Sequence, residues 1–113
     1  KMIRGDIWWV DFGEPLGSEP GWRRPAIIVQ SDDFNKSDMN TTIVIPLTTN
    51  LRLAEFPGNV LLSKEESKLS KDSVAVIPQI TVIDRIRLLE HVSILPILSM
   101  KNISEGIKLI LAV

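Results

Sequence analysis

The chain carries hydroxyl, amide and guanidinium side chains near the ends of its predicted strands. They are Ser18, Arg23, Arg24, Asn35, Thr48, Thr49, Arg52 and Gln79. None is an effective general base, since a guanidinium stays protonated at neutral pH. Guanidinium groups do match phosphate oxygens, and phosphoryl chemistry can be driven mainly by positioning and charge stabilisation. An RNA would bring its own nucleophile, the 2′-hydroxyl. The set therefore suits binding and polarising a phosphodiester without a metal.

Arg23 and Arg24 lie within a turn-forming stretch, Gly17 to Pro25, which leads into an apolar segment at residues 26–29. Glycine and proline fix the backbone there. The arginines could bind phosphate, and the face of Trp22 could stack on a base. The stretch by itself is more typical of an ordinary connection between two strands.

Other chemistries find little support in the sequence. His91 is the single histidine and lies in an apolar strand pattern, which favours a structural or half-exposed role. The aspartates of residues 32–38 resemble a calcium loop but lack its central glycine and terminal glutamate. No phosphate-cradling glycine motif is present. We therefore predict no metal site and no cofactor.

Composition is that of one globular domain spanning residues 1–113, with 44% hydrophobic and 24% charged residues. We expect Lys1, which precedes Met2, to be a remnant of expression. The net charge of −1 means that any polyanion would need a local basic patch. The chain has no cysteine and no apolar run approaching the ~20 residues that cross a bilayer. We expect a cytoplasmic protein without a membrane segment.

Hydrophobic patterning predicts six strands followed by one helix. The strands span residues 6–12, 25–30, 42–49, 59–63, 73–82 and 88–95. In the first strand, Trp8, Val10 and Phe12 share one face, and Pro46 implies an edge or a bulge in the third. The segment 31–40 is expected to be a loop or irregular turn.

Helical signals are confined to short turns and the C-terminus. Ser63 and Glu66 have the spacing of a capping box, and residues 84–87 could form a short helical turn. From Ser99, a plausible N-cap, apolar residues recur at helical spacing, although Gly106 weakens the helix. The elements describe a mainly β fold, a small partly open barrel or strongly bent sheet with a C-terminal amphipathic helix packed on it.

Five short motifs, in order along essentially the whole chain, carry a family resemblance. They are Arg4-Gly5-Asp6-Ile7-Trp8, Gly17-Ser18-Glu19 leading to Arg24-Pro25, Thr48 at a strand end, Asp72-Ser73-Val74, and Gln79-Ile80. This series resembles the MazF/PemK toxins, the ribonuclease halves of bacterial toxin–antitoxin pairs.

The resemblance implies an SH3-like barrel, a homodimer, and metal-independent cleavage of single-stranded RNA at short sequences. The expected products carry a 2′,3′-cyclic phosphate and a 5′-hydroxyl. The expected partner is an antitoxin that occupies the RNA groove with an extended acidic segment. By position, Arg24 and Thr48 correspond to the catalytic pair, and Ser18, Asn35 and Gln79 to RNA contacts.

Chemistry favours charge stabilisation, rather than proton abstraction, as the role of Arg24. We expect Trp22, Arg23 and Thr49 to contact RNA as well, with Trp22 and Arg23 adjusting affinity or sequence choice. Trp22 could equally pack across its loop or across the dimer.

Two alternatives come from other classes. A CcdB-type dimer that binds DNA gyrase shares this fold, but those toxins act through a tryptophan-glycine-isoleucine C-terminus, and this chain ends in Leu111-Ala112-Val113. An SH3-like peptide-binding module would favour exposed tyrosines and tryptophans, and this chain has no tyrosine. Both alternatives are therefore weaker.

Overall fold

A seven-stranded antiparallel sheet forms most of the protein. The structure is a computed structural model that describes all residues, 1–113. The strands are β1 (Asp6–Asp11), β2 (Arg23–Ile28), β3 (Thr41–Thr48), β4 (Val60–Leu62), β5 (Ser73–Ala75), β6 (Thr81–Asp84) and β7 (Leu88–Ile94). The helices are α1 (Asp32–Asn35), α2 (Lys64–Ser67) and α3 (Ile97–Leu111), with 3₁₀ turns at Leu51–Glu55, Ile77–Gln79 and Arg85–Arg87.

The strands follow the order β4-β5-β3-β2-β1-β7, and β6 pairs with β3 beside β5. The two end strands, β4 and β7, do not pair with each other, so the sheet does not close into a barrel. The prediction of a mainly β, partly open fold with a C-terminal helix is confirmed.

Each face of the sheet covers a separate apolar cluster. Ile7 belongs to the larger cluster, together with Ile27, Ile45 and residues of α3. Val10 belongs to the smaller one, against which Trp8 and Phe12 pack. The period of two predicted for β1 is therefore confirmed, because consecutive side chains of a strand point to opposite faces.

The prediction of one continuous strand over residues 73–82 is wrong. β5 ends at Ala75, a 3₁₀ turn containing Pro78 follows, and β6 begins at Thr81. Both strands then pair with β3, β6 along residues 41–44 and β5 along 47–48. A proline, which lacks an N–H, suits this interruption.

The proline in β3 does not mark an edge, because β3 lies inside the sheet. Pro46 instead occupies the gap between the segment paired with β6 and the segment paired with β5. Its carbonyl accepts a hydrogen bond from the Val76 N–H across this gap, at 3.1 Å.

The C-terminal helix begins three residues earlier than predicted, at Ile97, with Pro96 rather than Ser99 as its N-cap. Ser99 is not a cap. It is buried inside the helix, and its hydroxyl donates to Glu66 Oε1 at 2.6 Å. The predicted capping box between Ser63 and Glu66 is present at the start of α2. None of the helices is long and apolar enough to be a candidate membrane span.

Candidate active site

Arg24 and Thr48 lie at neighbouring strand ends. The β2–β3 ladder ends with Ala26 paired to Pro46, and Arg24 and Thr48 each lie two residues beyond that pair. On its other side Arg24 pairs with Val10 of β1, and Arg23 pairs with Asp11. Both arginines therefore belong to a hydrogen-bonded strand, rather than to the loose end of a loop, which limits their backbone movement.

A small cavity of about 200 Å³ brings this pair together with further polar groups. Its lining consists of Trp9, Arg23, Arg24, Pro25, Leu47, Thr48, Thr49 and Ser73. Two cations and three hydroxyls face this space, and no carboxylate does. Such a lining is electrostatically suited to an anion the size of a phosphate.

Both arginine side chains of the cavity are free to bind a ligand. Neither Arg23 nor Arg24 takes part in an ion pair, since the chain's two ion pairs join other residues. The Thr48 hydroxyl oxygen accepts a hydrogen bond from the Asn50 N–H at 3.2 Å. Its own O–H therefore remains available to donate into the cavity.

Trp9 and Ser73 are cavity residues that the sequence did not single out. Trp9 alternates with the core residues of β1 and is 37% exposed. Its position one residue after Trp8 was the available signal, because alternation turns one of two adjacent tryptophans away from the smaller cluster. Ser73 belongs to a motif that supported the family resemblance, but no functional role distinguished it there.

A second, larger cavity of about 630 Å³ holds two other predicted residues, Ser18 and Gln79. The Gln79 Nε2 group donates to the Ser18 carbonyl at 3.2 Å, so this contact ties the loop after β1 to the 3₁₀ turn after β5. The Gln79 Oε1 atom is buried and has no hydrogen-bond partner. An unpaired buried acceptor is costly, and a ligand N–H would satisfy it.

Arg87 also lines the larger cavity, and the sequence did not indicate it. Its Nη1 group donates to the Asp11 carbonyl at 3.0 Å, which fixes the guanidinium at the end of β1. Glu19 lines the same cavity, so both signs of charge are present. The larger cavity is therefore less strongly cationic than the smaller one.

Trp22 lies between the loop segment at the larger cavity and the strand end at the smaller one. Its side chain is 63% exposed, so the indole is not packed across its own loop. Its backbone is anchored on both sides: its N–H donates to the Gly13 carbonyl at 2.7 Å, and its carbonyl accepts from the Phe12 N–H at 2.8 Å.

Asn35 does not join either cavity. It is 5% exposed, and its Nδ2 group donates to the Gln30 carbonyl at 2.9 Å. Its Oδ1 atom accepts from Gln30 Nε2 and from the Thr42 hydroxyl, at 3.0 and 2.9 Å. The amide thus holds α1 against the sheet. Arg52, in the exposed 3₁₀ turn Leu51–Glu55, also lies outside both cavities.

The single histidine has a partner that the sequence did not reveal. His91 Nε2 lies 3.2 Å from Oδ1 of the buried Asp6, and the imidazole meets the Trp8 ring edge-on. Asp6 also accepts from the Ile3 N–H at 2.9 Å. This pair links β1 and β7. No group of three or more histidine, aspartate or glutamate side chains is arranged to hold a metal ion.

Comparison with known proteins shows that the chain is similar to endoribonucleases. The chain is 36% identical over 110 residues to the endoribonuclease MazF2 of Mycobacterium bovis, an alignment that covers 97% of this chain and 96% of the relative. It is 38% identical over 106 residues to the endoribonuclease MazF of Staphylococcus saprophyticus, covering 94% and 88%.

Solved structures share the fold at lower identity. MazF from Deinococcus radiodurans superposes with a TM-score of 0.83 at 21% identity, covering 99% of this chain and 97% of that one. A mycobacterial endoribonuclease in complex with its cognate antitoxin gives 0.81 at 18% identity, covering 100% and 97%. At these identities the likeness concerns the fold.

The match to a family of known proteins extends over nearly the whole chain, from residue 3 to residue 111. It gives the gyrase-binding alternative no support. Together with the relatives above 30% identity, it shows that the chain belongs to the PemK-like, MazF-like toxins of type II toxin–antitoxin systems.

Proposed function

We propose that this protein is an endoribonuclease that cleaves single-stranded RNA in the cytoplasm without a metal, and that an antitoxin inhibits it. The observation that carries the proposal is the small cavity in which Arg24 and Thr48 lie with further hydroxyls and no carboxylate. The relatives from M. bovis and S. saprophyticus, both named endoribonucleases, support it.

The reaction is a displacement within the RNA. The 2′-hydroxyl oxygen attacks the adjacent phosphorus, the bond from phosphorus to the 5′-oxygen breaks, and a 2′,3′-cyclic phosphate and a 5′-hydroxyl result. The 2′-hydroxyl loses its proton to solvent, and the leaving 5′-oxygen takes a proton from solvent. Arg24 holds the nonbridging oxygens and can donate toward the leaving oxygen.

Thr48 completes the anion-binding geometry. Because its oxygen already accepts from the Asn50 N–H, its O–H is directed elsewhere and can donate to a nonbridging oxygen of the scissile phosphate. Arg23 and Thr49, on the same cavity, bind the flanking backbone. No metal-ligand cluster exists near these groups, and the chemistry assigned to them requires none.

The RNA extends from this cavity toward the larger one, where Ser18 and Gln79 contact it. Gln79 contacts the RNA beside the Ser18 carbonyl, to which its amide nitrogen donates. Trp22, between the cavities, is the remaining contact. Asn35 is left out of the proposed RNA-binding set, because its amide is already saturated by Gln30 and Thr42.

The protein functions as a homodimer, and its antitoxin presents an extended acidic segment to the same surface. Several large apolar side chains of α3 are exposed in the single chain, among them Ile97 at 88% and Leu98 at 75%. Burial in a dimer would remove this area from water. The unpaired cations Arg23 and Arg24 attract carboxylates as they attract phosphates.

RNA cleavage in excess EDTA tests the proposal most directly. Purified protein is incubated with a long mixed-sequence RNA, and new 5′ ends and cyclic phosphate ends are mapped. Cutting at one short sequence with 5′-hydroxyl ends is expected. A folded dimer that leaves the RNA intact would refute the activity, and cutting that requires a divalent metal would refute the mechanism.

A further inference from the structure

We propose that Trp22 is a stacking platform for the RNA base next to the scissile phosphate, and that it favours a purine there. The inference rests on the proposed function. Its first support is backbone conformation: Trp22 has a φ of 58°, in the left-handed region. Bulky residues rarely occupy this region, whereas glycine fits it without steric cost. A tryptophan here therefore works against the fold locally.

No packing of the indole within the protein offsets this strain. The indole is 63% exposed and belongs to neither apolar cluster. Residues other than glycine keep a left-handed backbone conformation only where the surrounding structure enforces it, and such residues concentrate at ligand-binding sites. Strain combined with exposure indicates that the indole contacts something outside its own chain.

The frame around Trp22 is rigid. Its N–H and carbonyl are bonded to Gly13 and Phe12 on the opposite side of the loop. The preceding Gly21 lies so close to the ring of Pro15 that a side chain there would collide with it. The backbone of Trp22 is therefore held in place before any ligand arrives, so that only the side-chain torsions of the indole remain to be ordered on binding.

The position along the chain fits an RNA path. Residues 18–20 line the larger cavity, and residues 23–25 line the smaller one. The proposed RNA path crosses the residues that join these two segments, which include Trp22. Trp22 is two residues from Arg24, at most about 7 Å along the chain. The nucleotide joined to the phosphate held by Arg24 is therefore within reach of the indole.

Stacking explains a graded base preference. Every base has a π face, so an indole accepts all four, but a purine offers the larger overlap. Trp22 would thus contribute affinity at its subsite with a purine preference, without reading hydrogen-bonding groups.

Binding measurements with four variants test this inference. The probe is a single-stranded RNA containing the mapped cut sequence, with a 2′-deoxy sugar at the cut so that it binds without reacting. We expect Trp22→Ala and Trp22→Gly to raise Kd by roughly 5- to 100-fold. Trp22→Phe should give a smaller loss. The control Leu16→Ala alters a 79% exposed apolar side chain of the same loop, which lines neither cavity, and should bind like the parent.

Two further measurements separate stacking from other roles. Trp22→Gly should have a Tm equal to or above that of the parent, because glycine relieves the left-handed strain. Replacing the purine by a pyrimidine next to the cut should weaken binding to the parent more than binding to Trp22→Ala.

Unchanged RNA affinity in Trp22→Ala and Trp22→Gly would overturn the inference. If the parent still cuts RNA in that case, the proposed function stands. Loss of the dimer in either variant would also overturn it, in favour of a subunit contact. A parent that neither binds nor cuts RNA would defeat the proposed function, and the stacking role with it.

Discussion

The side-chain amide of Gln79 donates to the backbone carbonyl of Ser18, which lies 61 positions earlier in the chain. A carbonyl can only accept, so this contact fixes which end of the amide is nitrogen. The oxygen must then face the other way, where it is buried without a partner. One contact thus joins the loop to the 3₁₀ turn and fixes the orientation of the Gln79 amide.

Gln79→Leu is expected to weaken RNA binding and to relax the cutting sequence at one position. Leucine removes the acceptor and the loop contact while keeping a similar volume, and one hydrogen bond is worth about 1 kcal/mol, or roughly fivefold in Kd. Mapping of cut sites by sequencing checks this. Glu65→Gln, on exposed α2 away from both cavities, is the control. An unchanged cut-site pattern would contradict the assignment.

Arg24→Ala is expected to lower the cleavage rate by roughly 10²- to 10³-fold, the usual effect of removing one transition-state donor. The fold and dimer should persist, because the side chain forms no ion pair that stabilises the protein. Single-turnover cleavage and light scattering measure both properties. Arg52→Ala removes an equal charge outside the cavities and should cut normally. Near-parental cutting by Arg24→Ala would refute its role.

Asn35→Ala should destabilise the protein without impairing cleavage. The substitution leaves Gln30 and Thr42 without buried partners, which costs about 1–3 kcal/mol for each unsatisfied group. Urea unfolding gives the stability, and cleavage is assayed well below the Tm. A variant that is as stable as the parent but cleaves RNA more slowly would instead indicate that Asn35 contacts RNA.

The sequence predicted the fold well where one local rule dominates. Alternation in β1 and the capping box of α2 were confirmed, because the period of a strand and the reach of one side chain are set within a few residues. The break at Pro78 was missed, because an apolar run reads as one strand until pairing with β3 divides it.

Site prediction depended on contacts between distant segments. The family resemblance named Arg24 and Thr48 as a pair. They line one cavity because their strands, β2 and β3, are neighbours in the sheet. Asn35 bonds to Gln30 and Thr42, five and seven positions away, and Arg87 bonds to Asp11, 76 positions away; neither set of contacts leaves a periodic trace in the sequence. Polar type alone could not distinguish a buried amide from one that faces RNA.

Acidification should weaken the fold through Glu66. The Ser99 hydroxyl and the Ser63 N–H both donate to this carboxylate and lower its pKa below the ordinary value. Its stabilising contribution is therefore complete above the pKa of the unfolded chain and is lost as pH falls through the lower folded pKa. Asp32 acts in the same direction, because the Arg4 N–H lowers its pKa despite partial burial.

Glu66→Gln is the variant that tests this dependence. It should be less stable than the parent at neutral pH, and the difference should shrink as pH falls below the ordinary pKa of glutamate, about 4.3, toward the lowered pKa of Glu66 in the folded protein. Urea unfolding across this range measures the change. A parental free energy of unfolding that stays constant down to about pH 3 would contradict the role of both carboxylates.

Gly106→Ala should destabilise the protein, although alanine is the better helix former. In α3 this glycine lies against the backbone of Gly58, and a Cβ would collide with the Gly58 carbonyl oxygen and press on the Ile77 side chain. The carbonyl cannot move without shifting the segment before β4. We expect a loss of about 1–3 kcal/mol, as for other overpacked sites, against a propensity gain of about 1 kcal/mol. Thermal unfolding checks this, with Lys101→Ala, at an exposed position of the same helix, as the control. A raised Tm in Gly106→Ala would contradict the prediction and show that the helix can move away from the sheet.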